Sequence, residues 1–269
     1  MHLGLIGYGN ITRTLIDVLA RENAALTRLT VLVRPGREAA THQALAGHSA
    51  PVQVVSDGAA LVAASPDLVV ECAGHSAVQA DVTACLRAGI ETVIVSIGAL
   101  ADEALHEQVL AAARDGRTRV VLPAGAIGGV DLLSALRPSG ITEVTYTSRK
   151  PPLAWRGTPA ETLLDLPSLT DATVFFSGNA RDAALQYPKN ANVAATLALA
   201  GIGFEGTQVQ MIADPQVTQN IHEYSVRAGA TDYTMRIQGN PSPDNPKTSV
   251  ATVYSAAREV LNRLREVAI

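Results

Sequence analysis

The chain opens on a short apolar run, Leu3 to Ile6, that passes directly into Gly7-Tyr8-Gly9-Asn10-Ile11 and then into a helical pattern. A strand that turns through glycines into a helix N-terminus narrows what can follow. Its backbone can approach a phosphate closely, and the first-turn N–H groups and the helix dipole face the negative charge. Gly7, Gly9, Asn10 and Ile11 are therefore expected to cradle the pyrophosphate of a dinucleotide. The G-x-G-x-x-G spacing is matched in two of its three glycines, because Thr12 stands where the third usually packs helix against strand.

What raises this loop above a chance turn is the repetition behind it. Short β-branched runs near Leu3–Ile6, Leu29–Val33, Val52–Val55, Leu68–Glu71, Thr92–Ser96 and Val120–Leu122 alternate with Ala/Leu-rich helical stretches. Such alternation predicts an α/β fold, a Rossmann-type doubly wound parallel sheet. Ala101-Asp102-Glu103 opens one of its helices with acidic residues, and Arg114-Asp115-Gly116 closes it with a cation and a glycine. Where the second strand ends, Val33-Arg34-Pro35-Gly36-Arg37 carries no carboxylate for a ribose 2′-hydroxyl. Arg34 suits a 2′-phosphate, so NADP is expected to be accepted alongside NAD. At the end of the fourth strand, Ala73 and Gly74 are small enough for the backbone to pass a nicotinamide ribose, and His75 reads as a helix start.

Beyond Pro123 the pattern changes. A glycine-rich segment, Ala124 to Gly129, leads into a helix through Leu136, and then come longer runs that alternate apolar with polar residues. Thr142–Ser148, Thr207–Ile212, Gln219–Arg227 and Tyr233–Gln238 predict a second, α+β domain with a mostly antiparallel sheet covered on one face. Asn190 to Leu199 reads as an Ala-rich helix after Tyr187-Pro188. The last element is a long amphipathic helix with Val250, Val253, Tyr254, Ala257 and Leu261 at helical spacing, which is expected to pack back on the first domain. The predicted boundaries are 1–122 with 246–269 for the dinucleotide domain, and 123–245 for a substrate and dimerisation domain.

Composition closes off several classes. The net charge of −4 carries no basic excess in either half, which argues against nucleic acid as a partner. The longest nearly unbroken apolar run, Val193 to Phe204, is about a dozen residues, short of the roughly 20 that span a bilayer. No leader is expected, and no membrane partner. Two cysteines, Cys72 and Cys85, lie far from any C-x-x-C or Cys/His cluster, so both are expected as buried, reduced thiols in a cytoplasmic protein without a metal site.

For acid–base work near neutral pH histidine is the default side chain. Of six, only His222 lies in the second domain, after the turn Ala213-Asp214-Pro215 and flanked by polar Asn220 and Glu223. It is the candidate catalytic residue. Lysine is scarce, with only Lys150, Lys189 and Lys247. Lys189 and Asn190 stand at a predicted helix start, where a cation, an amide and helix N–H groups can meet a carboxylate or a carboxamide.

Four separated segments carry a resemblance. Leu122 to Gly129, Tyr187 to Ala194, Ala213-Asp214-Pro215 with Asn220-Ile221-His222, and Asn245-Pro246-Lys247-Thr248-Ser249 resemble, in order and spacing, the L-aspartate dehydrogenase family. That resemblance covers essentially the whole chain. It implies a Rossmann domain followed by an α+β domain, and oxidation of L-aspartate with NAD or NADP to iminoaspartate, which gives oxaloacetate and ammonia or feeds NAD biosynthesis. It puts the catalytic histidine on His222 and cofactor contacts on Gly125, Ala126 and Asn190. Lys189 and Asn192 are the expected substrate contacts. A homodimer is expected. Two alternatives stay open: a related two-domain enzyme of dihydrodipicolinate reductase or homoserine dehydrogenase type, and a non-enzymatic nicotinamide-nucleotide-binding protein.

Overall fold

Six short strands rich in Val, Leu, Ile and Thr form the first sheet: β1 (His2–Ile6), β2 (Arg28–Leu32), β3 (Val52–Val55), β4 (Leu68–Glu71), β5 (Glu91–Ile94) and β6 (Val120–Val121). All are parallel, in the order β3-β2-β1-β4-β5-β6, with the reversal of winding between β1 and β4. Such a doubly wound sheet places ligands outside the carboxyl ends of its strands at that reversal. Residues are described throughout this computed structural model except at 189, 243 and 244, with backbone alone at 241, 242 and 245–248. The chain divides into two compact units, Met1–Pro123 with Val253–Ile269, and Ala124–Thr252.

In the first unit the helices are α1 (Asn10–Arg21), α2 (Glu38–Ala44), α3 (Gly58–Ala63), α4 (His75–Ala77), α5 (Thr83–Arg87) and α6 (Glu103–Asp115). A π turn, Val78–Val82, joins α4 to α5. Asp102 caps α6 by accepting from the Leu105 N–H at 3.0 Å. The core runs through Leu3, Leu5, Leu15, Leu19, Leu29, Val31, Leu68 and Val70, all fully or almost fully buried.

Within the second unit lie α7 (Val130–Leu136), β7 (Ile141–Lys150), α8 (Ala160–Leu163), β8 (Thr173–Asn179), α9 (Ala180–Gln186), α10 (Asn192–Ala200) and α11 (Gly203–Gly206). They are followed by β9 (Thr207–Ala213), β10 (Asn220–Ala228), β11 (Asp232–Gly239), β12 (Pro241–Ser242) and β13 (Asn245–Ser249). The five-stranded sheet runs β11-β10-β7-β9-β8, with β7 at its centre. It is mixed, because β7 and β9 pair in parallel while every other neighbouring pair is antiparallel. Neither β8 nor α9 stands out in the sequence. Val174-Phe175-Phe176 lacks clean alternation, and a register shift between Val174 and Phe176 shows why.

The last helix, α12 (Val250–Leu261), starts later than the expected residue 246, since Asn245–Ser249 pairs with Pro241–Ser242 as a two-stranded ribbon. Val253, Ala256, Ala257, Val260 and Leu261 join the core of the first unit. Tyr254 does not share their face and is half exposed, which corrects its place in the apolar stripe. The apolar run from Val193 is α10 and α11, buried among protein, and among the described residues no helix is long and apolar enough to cross a membrane.

Candidate active site

In the first unit the glycine loop has the geometry that a dinucleotide needs. Gly7 adopts φ +91°, and a Cβ there would stand 2.9 Å from the Cβ of Ala73, so both positions must stay small where the two loops meet. At Gly9 a Cβ would meet nothing within 4 Å, which leaves open space in front of the backbone that begins α1. No side chain caps α1 and no acidic residue occupies its first turn. The first turn of α1 therefore carries no negative side chain of its own, which suits an anion at this end of the helix. Thr12, fully buried, donates its hydroxyl to the Gly7 carbonyl at 2.8 Å. The residue that departs from the glycine pattern thus latches the turn.

Glu71, at the carboxyl end of β4, escaped the sequence reading because an acidic residue in a strand reads as exposed. It is fully buried. Its Oε1 accepts from the Ala73 and Gly74 N–H groups, both at 2.7 Å, and from Ser96 Oγ at 3.0 Å, while Oε2 accepts from the Ser96 N–H at 3.0 Å. Burial pushes this carboxyl up and the four donors oppose that shift. One side chain therefore shapes the Ala73-Gly74 turn and ties the ends of β4 and β5 together. Gly74 takes φ +127° with open space where a Cβ would be. His75 begins α4, as expected, and burial lowers its pKa. Arg34 is exposed after β2. Cys85 is buried and its thiol is pushed up to about 12, whereas Cys72 is only partly buried, short of the full burial expected for it.

The second unit holds a buried polar cluster. From Val144 onward the even-numbered residues of β7 are buried, which places Tyr146, Ser148 and Lys150 in one row, and the antiparallel register sets His222 of β10 directly opposite Ser148. His222 is 4% exposed and its Nδ1 is 2.7 Å from the Tyr146 hydroxyl, the two rings stacked at 6.0 Å. Burial, with the positive charge of Lys150 second, drives its pKa down to about 3, so the ring is neutral at neutral pH. Lys150 Nζ donates to Asn190 Oδ1 at 2.8 Å and lies 4.8 Å from the centre of the Trp155 ring. Ser148 Oγ and Asn190 Nδ2 are buried without a hydrogen bond.

Several expectations shift here. Glu223, flanking His222 in sequence, points to the opposite face and pairs with Arg236 at 3.4 Å, so it is not the histidine's partner; Tyr146 is. Asn190 does not start a helix but sits in the turn before α10, its N–H bonded to Tyr187 O at 2.8 Å and its side chain turned to Lys150. Asn192 is the first residue of α10. The expectation for Lys189 lies outside the described residues. The turn at Asp214 buttresses the end of β7: its N–H donates to Lys150 O at 2.9 Å, and its carboxylate takes Arg149 Nη1 at 2.5 Å. The glycine-rich segment is anchored to β10 because Tyr224 donates to Gly128 O at 2.7 Å. Gly125 has φ +69° with open space beside it, and Ala126 is buried.

Residues 131–263 match the family model described as aspartate dehydrogenase, C-terminal, and residues 7–123 match homoserine dehydrogenase, NAD binding domain. An L-aspartate dehydrogenase of Polaromonas sp. is 44% identical over the full length of both chains, and one from Pseudomonas aeruginosa is 43% identical, again over both full lengths. The chain belongs to the L-aspartate dehydrogenase family. Aspartate dehydrogenase from Thermotoga maritima, a crystal structure, superposes with a TM-score of 0.76 at 27% identity, covering 100% of this chain and 99% of that one. An archaeal homoserine dehydrogenase in complex with NADPH shares the fold at a TM-score of 0.60 and 12% identity, over 98% of this chain and 99% of its own. Membership makes the chain an NAD(P)-dependent oxidoreductase, and neither alternative weighed from the sequence is favoured.

Proposed function

We propose that the chain oxidises L-aspartate to iminoaspartate with NAD or NADP, after which water releases oxaloacetate and ammonia, and that His222 is its acid–base residue. The observation that carries the assignment of His222 is a neutral imidazole in a buried row with Tyr146, Ser148 and Lys150, in a member of this family.

Bound NAD or NADP supplies the hydride acceptor. Gly7, Gly9, Asn10, Ile11, Ala73 and Gly74 would hold its phosphate and ribose region, Arg34 would favour a 2′-phosphate, and Gly125, Ala126 and Asn190 are proposed as further cofactor contacts on the family resemblance. Support comes from the uncapped first turn of α1 and the open space at Gly9, Gly74 and Gly125. Lys189 and Asn192 are proposed as substrate contacts, a cation and an amide suited to carboxylates.

His222 moves protons at Nε2, because Nδ1 is engaged by Tyr146. The base role requires Nδ1–H donated to the phenol oxygen, which can accept, leaving the Nε2 lone pair for a proton. Burial keeps the Tyr146 phenol well above its usual pKa, so it stays a neutral partner. His222 then takes a proton from the water that attacks the imine carbon and returns one to the departing nitrogen. A cytoplasmic homodimer is the assembly we propose, since β7, β10 and β11 alternate and leave one face of the mixed sheet partly uncovered.

In the His222→Ala variant, dinucleotide affinity by fluorescence titration should stay within about twofold while kcat for aspartate falls by at least about 100-fold. Unchanged turnover would remove His222 from the mechanism.

A further inference from the structure

The buried row on β7 is more than a support for His222. Ser148 Oγ and Asn190 Nδ2 have no hydrogen-bond partner although the two residues are 0% and 8% exposed. Buried hydroxyls and amides are nearly always satisfied in a native fold, so two exceptions on residues that neighbour Lys150 in sequence or by hydrogen bond point to a polar ligand. Lys150, two residues from Ser148 on β7, is 4% exposed, and its ammonium donates to Asn190 Oδ1 and lies over the face of Trp155. Trp155 is itself fixed, fully buried and donating Nε1–H to Ile212 O at 3.1 Å. The Asp214 turn also holds the backbone of Lys150, its N–H donating to the Lys150 carbonyl at 2.9 Å. So much structure spent on aiming one ammonium is the mark of a built anion site.

We propose that Lys150 and Ser148 form the seat of a substrate carboxylate, with Asn190 aligning the lysine through Oδ1. The ammonium and the serine hydroxyl stand in one buried row two residues apart on β7, and both are groups that donate to a carboxylate. Because His222 faces Ser148 across the strand pair, a carboxylate seated there brings the carbon skeleton beside the imidazole. Seating it also has a chemical effect. The charge of Lys150 is the second cause, after burial, of the depressed basicity of His222, and a carboxylate ion-paired with Lys150 offsets that field. Arrival of the substrate thus strengthens the base that acts on it. A substrate with a neutral group at this point leaves the buried ammonium without that partner and is rejected.

This inference rests on the dicarboxylic substrate proposed above, and its test separates the two. In the full-length enzyme, Lys150→Met should raise KM for L-aspartate and Kd for succinate, a dicarboxylate that cannot be oxidised, each by about 100-fold, the scale of a buried hydrogen-bonded charge contact. NADPH affinity should stay within about twofold. Ser148→Ala should raise the same two constants by about three- to tenfold. Succinate binding and aspartate KM within about threefold of wild type in a Lys150→Met protein that melts cooperatively would overturn the seat. So would an equal loss of NADPH affinity. If Lys150→Met does not fold, Lys150→Arg decides: KM raised about tenfold or more with intact NADPH binding supports the seat, and an unchanged KM overturns it. Failure of the functional reading shows elsewhere, as wild-type enzyme that forms no reduced dinucleotide with aspartate.

Discussion

A histidine buried neutral makes the fold sensitive to acid. His222 has a folded-state pKa of about 3 against an ordinary value of 6.5. Above pH 6.5 both folded and unfolded chains carry it neutral and it contributes nothing to the pH dependence. As pH falls from 6.5 toward 3 the unfolded chain binds a proton that the folded chain refuses, so stability is lost across that window, by about 2 kcal/mol at pH 5. Thermal unfolding at pH 7.5 and 5.0 should show this loss shrinking in His222→Asn, whereas an identical shift in both proteins would refute it. Histidine count and position in the chain were enough to single out His222. Its partners were not legible, because Tyr146 and Lys150 read only as members of an alternating strand, and which residue stands opposite which depends on register. Glu71 was hidden for a related reason. A carboxylate in a β-strand becomes buried only when folding brings the donors of Ala73, Gly74 and Ser96 to it.

Elements come next, and the β1–α1 turn shows how far local sequence reaches. Gly7 and Gly9 read as a candidate phosphate loop, and the structure adds two reasons for a glycine at position 7: a positive φ and close approach to Ala73. Gly7→Ala should cost about 1–3 kcal/mol from backbone strain alone, lowering Tm by several degrees, and weaken NADPH binding at least about tenfold. Wild-type Tm and affinity in that variant would show that the turn has slack. Thr12 replaces the third glycine and compensates by bonding the Gly7 carbonyl. Strands β1 to β6 and α6 were predictable because hydrophobic period and caps are local signals. The start of α12 was misplaced by four residues, since Asn245–Ser249 pairs as a ribbon with a segment that no helical period reveals.

At the scale of the molecule, the chain leaves its first unit at Pro123 and returns to it at Val253. The returning helix completes a core rather than decorating it, with Val253, Ala256, Ala257, Val260 and Leu261 packed among residues of β1, β2 and α1. Burying an aliphatic side chain of this kind stabilises by about 1.5–3 kcal/mol, so losing several together approaches the whole stability of a typical domain. A chain ending at Thr252 should therefore lack cooperative melting or be recovered insoluble, and a wild-type melting curve by circular dichroism would contradict this. By itself the sequence determined the class of each half, the dinucleotide loop and the single histidine of the second half, because periodicity, glycine placement and residue type act over a few neighbouring positions. Only the tertiary structure decided that Tyr146, Ser148, Lys150, Asn190 and His222 share one buried site. These residues lie up to 76 positions apart, and strand register together with the enclosure that strips away water is a property of the packed sheet, absent from any short stretch of chain.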